Sequence, residues 1–296
     1  MADSLTKLYV GTEAAGFISA SLLSGETLAQ GNITVLPNVA FKVNLKNFDL
    51  SGAVKDASCD FTDAGDVTYV EKALAPEAFA VNKSLCKQDW LSTFAGAQMR
   101  AGLDGALAAD FQEYIVSHIG GIVGQEVEKA IWNGSTATSG EFDGFKVQML
   151  ADAAVVDVTG ITVTAANVIA ELGKVRDAII DTVYGKEDLS IYVGTGVMKF
   201  YVAAQAALGY LDQFHAGTTE ANFEGINLVV APGMAADTMV AARKSNLFFA
   251  TDLQSDMAEV KVLDMSENDG SDNVRVVMKW NAGVGYAVSG DIVLYS

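Results

Sequence analysis

The run DFQEYIVSHIGGIVGQEVEKAIWNG, Asp110 to Gly134, decides how the rest of the chain reads. Asp110 has a helix-capping side chain and Glu113 stands three residues on. This is a capping-box pair, in which each carboxylate accepts from an N–H that the first helical turn leaves without a partner. Phe111, Ile115, Ile119, Ile122, Val127, Ala130 and Ile131 follow at helical steps. The spacing predicts one amphipathic helix, about 33 Å long at 1.5 Å per residue, closed by a left-handed stop at Asn133-Gly134. Gly120, Gly121 and Gly124 each cost about 1 kcal/mol relative to alanine in a helix. Their small size must therefore gain something, and close crossing by another backbone is the expected compensation.

Upstream of this helix the period changes. From Ile33 the pattern alternates, with Val39, Phe41, Val43 and Leu45 on one side and Lys42, Asn44 and Lys46 on the other, as in a half-buried strand. A polar, glycine-containing stretch from Ser51 to Asp66 leads to a second extended run, Val67 to Leu74, so the two form a long hairpin with a soluble tip. The first thirty or so residues are rich in Ala, Ser, Gly and Thr with weak periodicity, which fits an arm that packs on something else.

Downstream, Thr164 opens a helix whose apolar positions Val168, Leu172, Val175, Ile179 and Val183 run to Gly185. A strand at Leu189 to Val193, a helix from about Gly196 to Leu208 and a strand at Ile226 to Ala231 follow. Residues 145–250 thus read as a compact α/β unit. Strands close the chain at Val260 to Leu263, Val274 to Trp280 and Tyr286 to Tyr295, with Asp269-Gly270 as a turn. No repeat of twenty to fifty residues is visible.

Of 296 residues, 50% are apolar, enough for a sizeable core. Three prolines against 28 glycines, without a Pro-rich or Ser/Gly-rich tract, leave no flexible linker. The net charge of -18 and the lack of any Lys/Arg cluster disfavour gripping nucleic acid, which requires releasing counterions from phosphates. Any nearby DNA is contained rather than held. Mean hydropathy is +0.26, yet no uncharged stretch nears the roughly 20 residues of a bilayer span, and the N-terminus lacks the pattern of a secretory signal. Apolar excess without a span points to large subunit interfaces. Cys59 and Cys86 lie far apart with no CxxC, so they read as reduced thiols rather than zinc ligands, and the three N-x-S/T sequons carry no weight without secretion.

Catalytic patterns are sparse. His118 sits mid-helix beside Ile119, where a packed or interface histidine is the commoner role, and His215 lies in a loop, where an exposed surface histidine is the default. GxSxG, HExxH and GxxxxGK[ST] are absent. Gly194-Thr195-Gly196 resembles the start of a dinucleotide loop but has Lys199 where the third glycine is required, so Thr195 reads as a helix cap. The acidic loop Asp264 to Asp272 would place Met265 at the first calcium-ligand position and reads as a solvated tip. No acid/base carboxylate pair, cofactor site or metal site can be named, and pairs such as Asp60 and Asp63 are ordinary in so acidic a chain.

TYVEKALAPEAFAVNKSLCKQDWLST (Thr68 to Thr93), followed by Asp110 to Gly134, resembles the major capsid proteins of tailed bacteriophages, in particular those of Bacteroidetes-infecting and crAss-like phages. VRVVMKWNAGVGYAVSGDIVLY (Val274 to Tyr295) resembles their closing strands. The resemblance implies an α+β tailed-phage capsid fold: an N-terminal arm (1–40), an extended β-hairpin loop (41–75), a peripheral domain with a long spine helix (76–144 and 251–296) and an axial α/β domain (145–250). It further implies a non-enzymatic shell subunit, made in the host cytoplasm and ending in the virion. Such a subunit forms hexamers and pentamers around double-stranded DNA without sequence-specific binding and without a membrane. A portal is its partner, as are scaffold or decoration proteins in some members. The chain has no long charged N-terminal extension, so a separate scaffold or a removed leader is expected. Some relatives carry a Lys-to-Asn crosslink; Lys55 near the hairpin tip is a candidate donor, but no partner is singled out. An encapsulin-like nanocompartment shell is the nearest alternative, and an acidic α/β enzyme or ligand-binding protein is the alternative from another class.

Overall fold

A computed structural model describes residues 7–10, 25–57, 59, 63–86, 109–208, 221–252, 259–266 and 269–296. The long helix expected from sequence is present as Ala109–Asn133. It is named α2 here, after a single turn α1 at Glu26–Ala29. Because Ala109 is already helical, Asp110 lies inside the first turn rather than at the cap. Ile115, Val116, Val123, Val127, Ala130, Ile131 and Trp132 are buried, whereas Ile122, expected on the apolar face, is 50% exposed. The stop also differs. Gly134 is not left-handed; it is small because a methyl there would overlap the Phe142 and Ala130 carbonyls. The Asn133 amide instead donates to the Gly233 carbonyl.

Close backbone crossing does occur on α2, at glycines of the crossing segments. A Cβ on Gly233 would overlap the Glu128 carbonyl, one on Gly25 would meet the Glu128 carboxylate and one on Gly144 the Ala130 carbonyl. Gly121 itself faces open space.

Two six-stranded sheets flank α2. The first runs β1-β12-β13-β11-β2, with β5 also on β13. Its strands are β1 (Lys7–Val10), β2 (Thr34–Pro37), β5 (Glu77–Cys86), β11 (Leu247–Thr251), β12 (Glu259–Asp264) and β13 (Asn273–Tyr286). The second runs β6-β14-β10-β7-β9-β8. It comprises β6 (Val156–Val158), β7 (Leu189–Val193), β8 (Ala221–Phe223), β9 (Ile226–Val230), β10 (Met239–Arg243) and β14 (Val293–Tyr295). Between β7 and β8 lies helix α5 (Thr195–Ala207), and before them α3 (Phe145–Ala151) and α4 (Val168–Asp177).

The second sheet is covered on both faces, which is why its strands read as continuous apolar runs. Ile191, Val193, Met239, Ala241, Val293 and Tyr295 pack with Leu172 and Val175 of α4 and with Val197 and Tyr201 of α5. The alternate residues Tyr192, Val240, Ala242 and Leu294 join the core of α2, α3 and the first sheet. Trp132 centres that core, with ring centroids 5.4 Å from Phe145 and 5.2 Å from Tyr192.

Strand membership differs from the sequence expectation at both seams. Leu247–Thr251, placed within the axial unit, pairs with β13 and β2 of the first sheet. The expected strand from Tyr286 to Tyr295 is broken at residues 287–292, and Val293–Tyr295 inserts between β6 and β10 of the second sheet. Of the expected arm, residues 1–6 and 11–24 lie outside the described residues. In the described part Leu28 and Ile33 are buried in the chain's own core, β2 pairs parallel with β11, and the alternation from Ile33 is interrupted at Asn38, whose φ of 70° ends the strand. The helix expected from Thr164 to Gly185 closes at Asp177. Ile179 and Val183 stay buried through turns, and Gly185 is left-handed at the last of them, with φ 81°.

Candidate functional site

One element belongs to neither sheet. Among the described residues β3 (Val43–Ser51) and β4 (Asp66–Leu74) pair only with each other, antiparallel through nine residue pairs from Val43 with Leu74 to Ser51 with Asp66. At about 3.4 Å per residue the ribbon extends roughly 30 Å. Left-handed Gly52 and Gly65 turn the chain at its end; a methyl on Gly65 would strike the Ser51 carbonyl.

Register decides the character of each ribbon face. Val43, Leu45 and Leu74 form the base, against Leu36, Val39, Phe248 and Ala250 of the body. On the other face lie Lys46 opposite Glu71, then Phe48 opposite Tyr69. Lys46 and Glu71 are 2.7 Å apart. Phe48 is 66% exposed and Tyr69 73% exposed, so a directly opposed aromatic pair stands in water. Val67 and Val70 are also exposed, as is Phe41, which the alternation had placed on the buried side. A two-stranded ribbon has no second layer on which to bury such a face.

The body offers a second apolar surface. A groove of about 370 Å³ runs between β5 and α2, lined by Val81, Leu85, Ile115, Ile119 and Ile122 with His118 at its edge. His118 is exposed there, in the helix where the sequence placed it. His215 lies outside the described residues.

The other candidates for chemistry resolve into structural contacts. The Gly194-Thr195-Gly196 turn starts α5, but Gly194 rather than Thr195 is its cap and Thr195 is the first helical residue. Methyls at Gly194 and Gly196 would meet the carbonyls of Ala235 and Ala236. Carbonyl acceptors thus stand where a phosphate would need donors. In the acidic tip, Asp264 Oδ1 accepts from the N–H and hydroxyl of Ser266, and Asp269 Oδ1 accepts from those of Ser271. The carboxylates close the loop on itself while Met265 is buried. Among the described residues no group of three or more His, Cys, Asp and Glu is arranged to hold a metal, and no helix is long and apolar enough to cross a membrane. Cys59 is exposed in the ribbon tip and Cys86 half-buried at the end of β5; both are free. Lys55 is exposed in the same tip.

Perturbed acids mark tethers between elements. Asp152 is held far below the usual carboxylate range, chiefly by Lys72, with further hydrogen bonds from the Ala154 N–H, Ser289 and Tyr286. Asp188 is lowered by Arg243 and Ser245. Burial of Glu171 would raise its carboxyl, but hydrogen bonds from Lys174 and Tyr295 more than offset it. Tyr192 and Tyr286 are pushed well above the normal phenol range by burial, the latter also by Asp152. Asp152 thus joins ribbon to body and Glu171 joins α4 to β14, whereas Asp188 ties the start of β7 to the end of β10 and the turn after it.

No family model and no curated protein matches the chain. Solved structures do. A chain of the satellite phage P4 procapsid, a structure that includes the size determination (Sid) protein, is 13% identical, with a TM-score of 0.62 over 95% of this chain and 98% of that one. The capsid of the native GTA particle is 14% identical, TM-score 0.60, over 100% of this chain and 93% of that one. A virus-like particle from Pyrococcus furiosus is 10% identical, TM-score 0.54, over 97% and 99%. At these identities the likeness is one of fold. The chain has the phage-capsid fold that the run from Thr68 to Gly134 led one to expect.

Proposed function

We propose that this chain is the major capsid protein of a tailed phage, a non-catalytic subunit that assembles as hexamers and pentamers into an icosahedral head around double-stranded DNA. The observation that carries this reading is the ribbon. Its Phe48–Tyr69 face has no core of its own to join, and the chain shares its fold with subunits of closed particles. Burial against a neighbouring copy would supply the missing layer, and the β5–α2 groove is an apolar surface of the right kind to receive it. The net charge of -18 suits a container from which DNA must leave, since a lining without phosphate contacts does not retain it. Portal, scaffold and decoration proteins are partners on this reading, as is a location in the virion after synthesis in the host cytoplasm.

The test is direct. The purified chain, followed by size exclusion and negative-stain microscopy, should form closed particles or capsomers. A stable 31.1 kDa monomer under every assembly condition tried, with a measurable turnover, would sink the proposal in favour of an enzyme. The resemblance to the Pyrococcus furiosus particle keeps one further reading, a cellular nanocompartment shell. Contents separate the two: a genome in one case, cargo proteins in the other.

A further inference from the structure

We infer that Lys72, Asp152, Tyr286 and Ser289 form a hinge pin that fixes the angle of the β3–β4 ribbon on the subunit body, and that a shell of this chain sets ribbon angle through this contact. The second half rests on the capsid reading; the first does not.

Two kinds of contact join ribbon to body. The apolar base of Val43, Leu45 and Leu74 is non-directional, and such contacts hold over a range of angles. The second kind is directional. Lys72 lies on β4 opposite Leu45, on the face turned to the body, and its Nζ donates to Asp152 Oδ2 at 2.5 Å. The same oxygen accepts from Ser289 Oγ at 2.8 Å and from Tyr286 Oη at 3.0 Å. Asp152 Oδ1 accepts from the Ala154 N–H at 3.0 Å. The Lys72 ammonium also stands 3.6 Å from the centroid of the Tyr286 ring, a cation–π contact that fixes it from a second direction.

The origin of these groups is what makes the cluster a pin. Asp152 directly follows α3, Tyr286 ends β13 of the first sheet, and Ser289 lies in the link to β14 of the second. The body therefore builds a socket from three elements, and the ribbon contributes one side chain to it. Without Lys72, Asp152 keeps its hydroxyl and N–H donors, so the socket survives and the ribbon is released. An open cleft of about 410 Å³ beside the contact, lined by Leu45, Leu74, Gln148 and Ala153 among others, leaves room for the ribbon to change angle.

The test uses Lys72→Met, which keeps the aliphatic stem, in the full unassembled chain, read by hydrogen–deuterium exchange. Loss of one charge-assisted bond should speed exchange in residues 43–51 and 66–74 about ten-fold or more, while β7 and β10 keep their protection. Lys72→Arg should restore most of the slow exchange. Unchanged ribbon exchange overturns the pin, as does an equal rise throughout the body, which would make the cluster a general stabiliser. Under assembly conditions Lys72→Met should broaden the distribution of particle diameters. A uniform, unaltered diameter with a fast-exchanging ribbon refutes the shell half alone, and failure of the unsubstituted chain to assemble refutes the capsid reading and leaves the pin to the exchange result.

Discussion

Replacing Phe48 and Tyr69 together by serine separates assembly from folding. Aromatic side chains bury roughly 200 Å² each when covered. With Phe48 66% and Tyr69 73% exposed, the surface still open to a partner is about 280 Å² for the pair. At about 25 cal/mol per Å² that is an upper bound near 7 kcal/mol, and interfaces realise only part of such a figure, so about 3 kcal/mol per contact is the working value. This weakens each ribbon contact by about two powers of ten. Within the subunit the two rings lose only their cross-strand interaction, of the order of 0.2–1 kcal/mol. The double variant should therefore unfold at nearly the wild-type denaturant midpoint while its particles vanish from sedimentation profiles and micrographs at concentrations where the parent assembles. Particles of normal yield from Phe48→Ser/Tyr69→Ser would falsify the claim that this face is an assembly surface. A collapse of subunit stability would show that the face is buried within the subunit after all.

Three further outcomes follow from the body. Thr27 is fully buried, donating to Glu128 and accepting from the Trp132 indole at 3.2 Å; Thr27→Val keeps the shape, takes the acceptor from the buried Trp132 N–H and should cost about 1–3 kcal/mol in a denaturant titration. Gly233→Ala would drive a methyl into the Glu128 backbone and should cost a similar 1–3 kcal/mol, with a neutral result arguing against the crossing of α2. The pH profile has a defined sign. Asp152 and Asp188 have depressed folded pKa values, so their stabilisation is present above the unfolded carboxylate range near 3.8 and is lost as pH falls through the lower folded values. Tyr192 and Tyr286 are raised, so their contribution holds below the unfolded value of 10 and is lost as pH climbs past it. Melting temperature should be flat from about pH 5 to 9 as far as these groups are concerned and fall outside that window; a transition near pH 6 would contradict the assignment.

Local signals carried a large part of the fold. α2 was legible because its apolar spacing runs for nearly six turns, and its observed bounds, Ala109–Asn133, lie within two residues of the expected Phe111 to Trp132. β7 stands where a short apolar run bounded by turns placed it. Both strands of the ribbon were legible from alternation and from a polar, glycine-bearing tip. β5 was missed although Phe79, Val81 and Leu85 alternate, because Lys83 stands in their phase and interrupts the pattern; its stability comes from ten pairs with β13, nearly two hundred residues away. β10 and β11 were missed because MVAAR and LFFAT are apolar on both faces and have no period. Membership of β11 and β14 in one sheet or the other is a matter of long-range pairing, on which no local pattern bears. The same limit applies to the candidate site. That the ribbon carries aromatic residues is plain from the sequence, but that Phe48 opposes Tyr69 depends on register, and that Lys72 meets Asp152 depends on packing across eighty residues.

The exchange of strands between sheets bears on where a subunit of this fold can adapt. β11 follows β10 through a three-residue turn yet joins the first sheet, and β14 follows β13 by a short link yet joins the second. With the passage from β5 through α2 and α3 to β6, the chain thus crosses between the sheets three times, and one apolar core, centred on Trp132, spans both. Rotating one sheet against the other would shear that core, at a cost set by dozens of close-packed side chains. The ribbon is bound differently, through a small apolar base and the Lys72 contact. A closed shell with both five-fold and six-fold positions asks identical chains to meet neighbours at more than one angle. With the ribbon's base held by the Lys72 contact, the least costly place to absorb that difference is the ribbon beyond it, so variation between positions should concentrate in residues 46–71 and leave the spacing of the two sheets unchanged.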